Sequence, residues 1–173
     1  MDSHELRHWL TEQGIRYEHL LHEALWTCDD VARVMPAELD AVHTKNLFVR
    51  DKKGKRHWLL VTRCERAVDL RALADAIGVD NLSFASPDRL MRHLGVIPGA
   101  VTVMGLVNDA AHAVTVLIDR DVWEAPRLTC HPLVNDETLV IDHAGLAALL
   151  ERTGHAPQVL TVPERATGGG ASP

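Results

Sequence analysis

The stretch KNLFVRDKKGKRHWLLVT, residues 45–62, decides the fold. Two short apolar runs, LFV and WLLV, flank the turn Asp51-Lys52-Lys53-Gly54. Branched and aromatic residues around a glycine-bearing turn read as two strands, 45–50 and 57–62, joined as a hairpin.

Working outward, the pattern changes period. Upstream, Ser3 is placed to cap a helix carrying Leu6, Trp9 and Leu10 at helical spacing, with Gly14 where it should stop. An edge strand follows at 15–20. Thr27 caps a second helix, with Asp29 and Asp30 in its first turn and Met35-Pro36 at its end. Downstream, Asp69 opens a helix to Ile77, residues 81–86 form a short strand, and Ser86-Pro87 starts a helix that stops at Gly95. Residues 96–99 form a loop, followed by apolar stretches at 101–107 and 114–118. Strands at 128–131 and 138–141, a helix over 143–152 and a last strand at 159–162 complete the pattern. Hairpins and helix crossovers thus alternate irregularly, which predicts a mixed α/β fold, α+β-like, with a mixed central sheet and surrounding helices. Residues 1–163 read as a single domain. Residues 164–173, ERATGGGASP, have no means of burying apolar surface and read as a disordered tail.

The 173 residues carry a formal charge of -6, which argues against a protein that coats nucleic acid non-specifically. No apolar run approaches the roughly 18 to 20 residues that span a bilayer. The start, MDSHELRHWL, lacks the character of a secretion or organelle signal, so a cytoplasmic protein is expected. Cys28, Cys64 and Cys130 are odd in number and widely spaced, which reads as reduced thiols. Against the acidic whole stands one basic patch, Lys45 with Arg50, Lys52, Lys53, Lys55 and Arg56, opposed only by Asp51. A solvated hairpin tip and a phosphate contact both explain it, and Lys45 alone is either a surface lysine or a grip for an anion.

Two motifs mislead. HELRH, residues 4–8, matches the H-E-x-x-H expression for zinc proteases, but its helix opens the chain and has no third ligand at a short fixed distance. Cys130-His131 suggests a nucleophile and a base, yet neighbours on a strand point to opposite faces. There is no G-x-S-x-G elbow, phosphate-binding loop or dinucleotide fingerprint, so a hydrolase here would lack a side-chain nucleophile. No metal or cofactor is expected.

Four segments taken together tell more. They are HTKNLF (43–48) leading to DKKG (51–54); LSFAS (82–86); LGVIPGAVT (94–102) with GLVND (105–109); and HPLVN (131–135) with Thr138. In order and spacing they resemble the prolyl-tRNA editing domain family, the YbaK/ProX-like aminoacyl-tRNA deacylases, over residues 15–157. The free-standing members, which clear mischarged tRNA(Pro) in trans, are the most similar. The resemblance implies that Lys45 holds a phosphate near the tRNA 3′ end, with Asn46 beside it. It implies that the loop containing Gly95, Pro98, Gly99 and Ala100 cups the aminoacyl group and stabilises the oxyanion, and that His131 is a polar contact in the pocket. A satisfied core histidine is the competing reading of His131. Trp26, Thr27, Ser83, Phe84, Val103, Met104, Asn108 and Asp109 are the implied substrate contacts, and Arg50, Lys52, Lys53, Lys55 and Arg56 the implied RNA patch.

An editing site makes chemical sense here, because a synthetase pocket shaped for proline gains only about 1 to 3 kcal/mol of discrimination per missing methylene. The implied partner is the aminoacylated 3′ end of tRNA(Pro), with prolyl-tRNA synthetase or an elongation factor as a helper, and no DNA or membrane. Members that clear alanine carry a Pro-Phe pair where this chain has Val103-Met104, and H-P-x-x-F/Y-T where it has HEALWT (22–27). Alanine is the first choice of aminoacyl group, with 2-aminobutyrate, serine, threonine and cysteine open, and the same chemistry on another tRNA is the enzyme alternative. A non-catalytic module that uses the basic patch to hold RNA or a synthetase is the alternative of another class.

Overall fold

The computed structural model describes residues 1–166. In chain order the elements are α1 (Ser3–Glu12), β1 (Glu18–Leu21), α2 (Cys28–Val34), β2 (Thr44–Asp51), β3 (His57–Arg63), α3 (Leu70–Ala76), β4 (Leu82–Phe84) and α4 (Pro87–Leu94). A 3-10 helix (Val103–Asn108) follows, then β5 (Val114–Asp119), α5 (Arg120–Trp123), β6 (Arg127–Cys130), β7 (Glu137–Asp142), α6 (His143–Arg152) and β8 (Gln158–Leu160).

The expected hairpin forms, with Arg50 opposite His57 and Lys45 opposite Thr62. Its turn is closed by Asp51, whose Oδ1 accepts the N–H groups of Lys55 (2.8 Å) and Arg56 (3.2 Å). Around the hairpin grows a five-stranded mixed sheet in the order β4-β2-β3-β5-β8, antiparallel as far as β3 and parallel beyond it. Residues 57–62 are all buried, because both faces of the sheet are covered. Leu59 and Val61 face a large core built with α1, α4, α6 and the 3-10 helix, while Trp58 and Leu60 face a smaller one closed by Leu73 and Ala74 of α3.

A second sheet, three-stranded and antiparallel, takes the order β1-β7-β6. The sequence placed these strands without separating them from the central sheet. Its inner face, Leu128, Cys130, Leu139 and Ile141, joins the large core. The two sheets meet edge to edge where Val42 bridges Leu128 in parallel and the Thr44 hydroxyl donates to the Thr129 carbonyl at 2.6 Å.

Several boundaries moved for local reasons. Asp2, not Ser3, caps α1, because its carboxylate accepts the Glu5 N–H while Glu5 returns a bond to the Asp2 N–H. Strand β1 begins at Glu18, since Ile15 turns into the core and only residues 18–21 find partners on β7. The apolar run 101–107 becomes a 3-10 helix capped by the Thr102 side chain. The single turn α5 has no side-chain cap to betray it. Glu164 and Arg165, assigned to the tail from sequence, pair with Val68 and Ala67; the rest of that segment, 167–173, lies outside the described residues. Among the described residues no helix is long and apolar enough to cross a membrane.

The end of β3 is locked by charge. Asp119 is 1% exposed and accepts the Thr62 hydroxyl at 2.7 Å, while its carboxylate lies 2.6 Å from Nε of Arg66. Arg66 also meets Asp121 (2.6 Å) and Glu164 (3.6 Å), and its own carbonyl accepts the Lys45 ammonium. Removing the buried carboxylate takes the acceptor from the Thr62 hydroxyl and leaves the Arg66 guanidinium to its two exposed partners, Asp121 and Glu164, so Asp119→Ala should lower unfolding stability by about 2–3 kcal/mol in urea titration.

Candidate functional site

The seam between the two sheets opens into a cavity of about 290 Å³. One wall is the start of β2, with Thr44, Lys45, Asn46 and Leu47; the other is the β6–β7 side, with Thr129, Cys130, His131 and Thr138. Leu25, Trp26, Thr27 and α2 roof it, and Gly99 and Val101 close the remaining side.

The roof forms because Thr27 and Asp30 make a capping box, the Thr27 hydroxyl accepting the Asp30 N–H. Asp30 in turn accepts the N–H groups of Trp26 and Thr27 and an Arg33 bond, which together hold its carboxyl at about 2. No residue of α2 itself is buried. What fastens it is a disulfide from Cys28 to Cys64, whose Cα atoms are 5.6 Å apart. This corrects the reading of three reduced thiols: a separation of 36 residues hides the pair in sequence, and the end of β3 carries Cys64 beneath the first turn of α2. Trp26, 64% exposed, lies on Gly99. Gly99 has φ +89°, and a Cβ there would stand 2.6 Å from the indole, so only glycine fits both the backbone and the ring.

Lys45 is half-buried, its Nζ donating to the Arg66 carbonyl at 2.5 Å. Burial pulls its pKa below the ordinary lysine value, opposed by Glu65 and Glu164. Asn46 presents a buried Oδ1 with no partner among the described residues, an unsatisfied acceptor costing about 1–3 kcal/mol. His131 is held through Nδ1, 2.9 Å from the Glu137 carbonyl. That oxygen can only accept, so Nδ1 carries the proton and Nε2 keeps the lone pair in the neutral ring. Burial, more than the nearby His22, lowers its pKa and favours that neutral form. Cys130 bonds toward the Leu139 carbonyl, and burial pushes its thiol up to about 12, which leaves it inert as a nucleophile. Among the described residues no carboxylate lines the cavity and no group of three metal-ligating side chains converges.

Sequence-selected residues therefore divide. Lys45, Asn46, His131, Trp26, Thr27 and Gly99 come together on the cavity. Pro98 is exposed beside it, and Ala100 is buried behind it with its N–H donated to the Ile97 carbonyl. Gly95 is the left-handed end of α4, φ +66°, packed against the Asn108 amide. Val103 and Met104 are fully buried in the core. Asn108 donates to the Leu94 carbonyl. Asp109 accepts from His155 (3.1 Å) and from the N–H groups of Ala113 and Val114; these bonds outweigh burial and hold its pKa below the usual carboxylate value. Ser83 and Phe84 sit on β4, opposite Arg50 and Val49. Lys52, Lys53, Lys55 and Arg56 are exposed at the hairpin tip, seven residues from Lys45 along β2, or roughly 23 Å. Arg50 turns its guanidinium onto the Asp51 and Lys52 carbonyls. Thr44, Thr129, Met35 and Val31 line the cavity without having been singled out, since only the meeting of two sheets brings them there.

Comparison with known proteins gives a consistent picture. The aminoacyl-tRNA editing domain matches residues 22–149. The prolyl-tRNA editing protein ProX of Acetoanaerobium sticklandii is 34% identical over 146 residues, covering 84% of this chain and 88% of that protein. The prolyl-tRNA synthetase associated domain-containing protein 1 of Danio rerio is 34% identical over 161 residues, covering 91% and 85%. A crystal structure of a candidate trans-editing enzyme for prolyl tRNA synthetase superimposes with a TM-score of 0.70 at 19% identity, over 94% of this chain and 97% of that one.

The roof gives a direct expectation. A crosslink closing a loop of this length contributes about 4 kcal/mol, so reduction should lower unfolding stability by that amount. Thiol titration of the unfolded, unreduced chain should count one cysteine, Cys130; a count of three would show the crosslink absent.

Proposed function

The chain belongs to the aminoacyl-tRNA editing domain family, and on that premise we propose that it is a trans-editing hydrolase that deacylates mischarged tRNA(Pro), with alanine as the preferred aminoacyl group. What carries the reading is the convergence of Lys45, Asn46 and His131 on one cavity whose described lining holds no carboxylate. An aminoacyl ester is already activated. Hydrolysis needs a positioned water and a stabilised oxyanion rather than a protein nucleophile.

In this scheme the Lys45 ammonium leaves the Arg66 carbonyl to hold a phosphate at the tRNA 3′ end. Water adds to the ester carbonyl carbon, and the carbonyl oxygen takes the negative charge. Collapse breaks the bond to the ribose oxygen, which departs with a proton as the free hydroxyl of the tRNA. The neighbouring ribose hydroxyl and the Nε2 lone pair of His131 are the groups in position to orient the water. The Asn46 Oδ1, without a partner among the described residues, gains one when the substrate enters. The Trp26–Gly99 side limits the aminoacyl group by size and so spares proline. The exposed lysines at the hairpin tip, roughly 23 Å away, meet phosphates farther up the acceptor end. Residues 1–163 act as one editing domain in the cytoplasm, with prolyl-tRNA synthetase or an elongation factor delivering the substrate.

Single-turnover deacylation of Ala-tRNA(Pro) and Pro-tRNA(Pro), with chelator present, tests this reading. Wild type should cleave the alanyl ester and spare the prolyl ester, and Lys45→Ala should lose roughly tenfold to a hundredfold, the value of one charge-assisted contact. A protein that binds both tRNAs but cleaves neither these nor the seryl, threonyl, cysteinyl and 2-aminobutyryl esters is a binding module instead. That module also predicts equal effects of Lys45→Ala and Lys53→Ala.

A further inference from the structure

An aminoacyl ester carries an α-ammonium, yet no carboxylate is found in the described lining of the cavity to receive it. Resting on the editing reading above, we propose that the Thr138 hydroxyl is an acceptor for the substrate's α-ammonium, and that His22 is the positioning residue that makes it one.

Proton placement carries the proposal. His22 Nδ1 lies 2.7 Å from the Glu23 carbonyl oxygen, which can only accept, so Nδ1 bears the proton of the neutral ring. Nε2 then holds a lone pair, 2.8 Å from Oγ1 of Thr138. The hydroxyl's single proton is committed to His22, and its two lone pairs are left for the cavity that Thr138 lines. Thr138 is 3% exposed, so water cannot readily reorient it. His131 repeats the arrangement on the same wall: its Nδ1 proton goes to the Glu137 carbonyl, and its ring centroid is 6.5 Å from that of His22. Across the cavity, the Thr44 proton goes to the Thr129 carbonyl at 2.6 Å.

Each of these polar groups has its proton turned to the protein and offers a lone pair. Such a surface suits a ligand with several donors and one positive charge. It does not suit a carboxylate or a phosphate, which is left to Lys45 on the β2 side. Neutral acceptors also avoid forming a buried ion pair that would have to be broken before the amino acid leaves.

The test compares Ala-tRNA(Pro) with lactyl-tRNA(Pro), in which a hydroxyl replaces the α-ammonium, each rate divided by its uncatalysed rate. Wild type should favour the alanyl ester by roughly tenfold or more, the scale of a hydrogen bond to a charged group. Thr138→Val and His22→Ala should lower the alanyl rate by a similar factor and the lactyl rate, which loses only a neutral hydrogen bond, by clearly less, so that the preference collapses. Thr138→Ser keeps the hydroxyl, and His22→Gln supplies an amide oxygen for its proton; both should restore the preference. Equal wild-type rates on the two esters, or parallel losses on both in His22→Ala, would overturn the proposal while the editing reading stood. Wild type that cleaves neither ester overturns this proposal, and failure on the seryl, threonyl, cysteinyl and 2-aminobutyryl esters as well overturns the editing reading with it.

Discussion

Strand β3 sits under the tightest constraint in the molecule, because its residues 57–62 are buried on both faces. A one-residue slip would exchange Leu59 and Val61 with Trp58 and Leu60 between two cores of different size. The register is therefore fixed, and with it the pairing of Lys45 with Thr62. Two residues beyond Thr62, Cys64 receives the roof of the cavity, and at Arg66 the chain supplies the carbonyl that holds the lysine. A packing requirement in the centre of the sheet thus determines where a charge stands at its end.

The electrostatics of the cavity follow from the same economy of placement. One cation stands on the β2 side, parked on a carbonyl, and the facing wall is made of neutral groups with their protons already assigned. Three carboxylates near this end of the molecule, Asp119, Asp121 and Glu164, converge on Arg66, and a fourth, Glu65, pairs with Arg63. The buried anion, Asp119, and the ligand-facing acceptors are kept apart, so the wall facing Lys45 can stay neutral without leaving a charge unpaired.

Local chemistry was legible wherever a short signal suffices. Thr27, Asp69, Ser86 and Asp142 each accept a bond from the first turn of a helix, and the four helices they start lie close to where the sequence placed them. The hairpin was legible because LFV and WLLV flank a glycine-bearing turn. What the sequence could not supply was partnership. Nothing in Leu128 to Cys130 or in Thr138 to Ile141 says that these strands leave the central sheet for one of their own. Nothing near Cys28 announces Cys64. The same limit divides the site residues: Lys45, Asn46 and His131 share a cavity, whereas Gly95, Asn108 and Asp109 serve backbone bonds and a helix end. Residues in one motif share a stretch of chain, not always a surface.

Because the cavity lies in the seam between two sheets, its width is a property of the spacing between them. That spacing is set by the core residues beneath, such as Leu128, Leu139 and Met104, all fully buried and none in its lining. Interiors packed to crystal density pass a volume change on to their neighbours instead of absorbing it. Relatives with the same lining can therefore differ in the size of group they admit, tuned from behind by a methyl gained or lost in the core, so a lineage can change its selectivity while every residue facing the ligand stays the same.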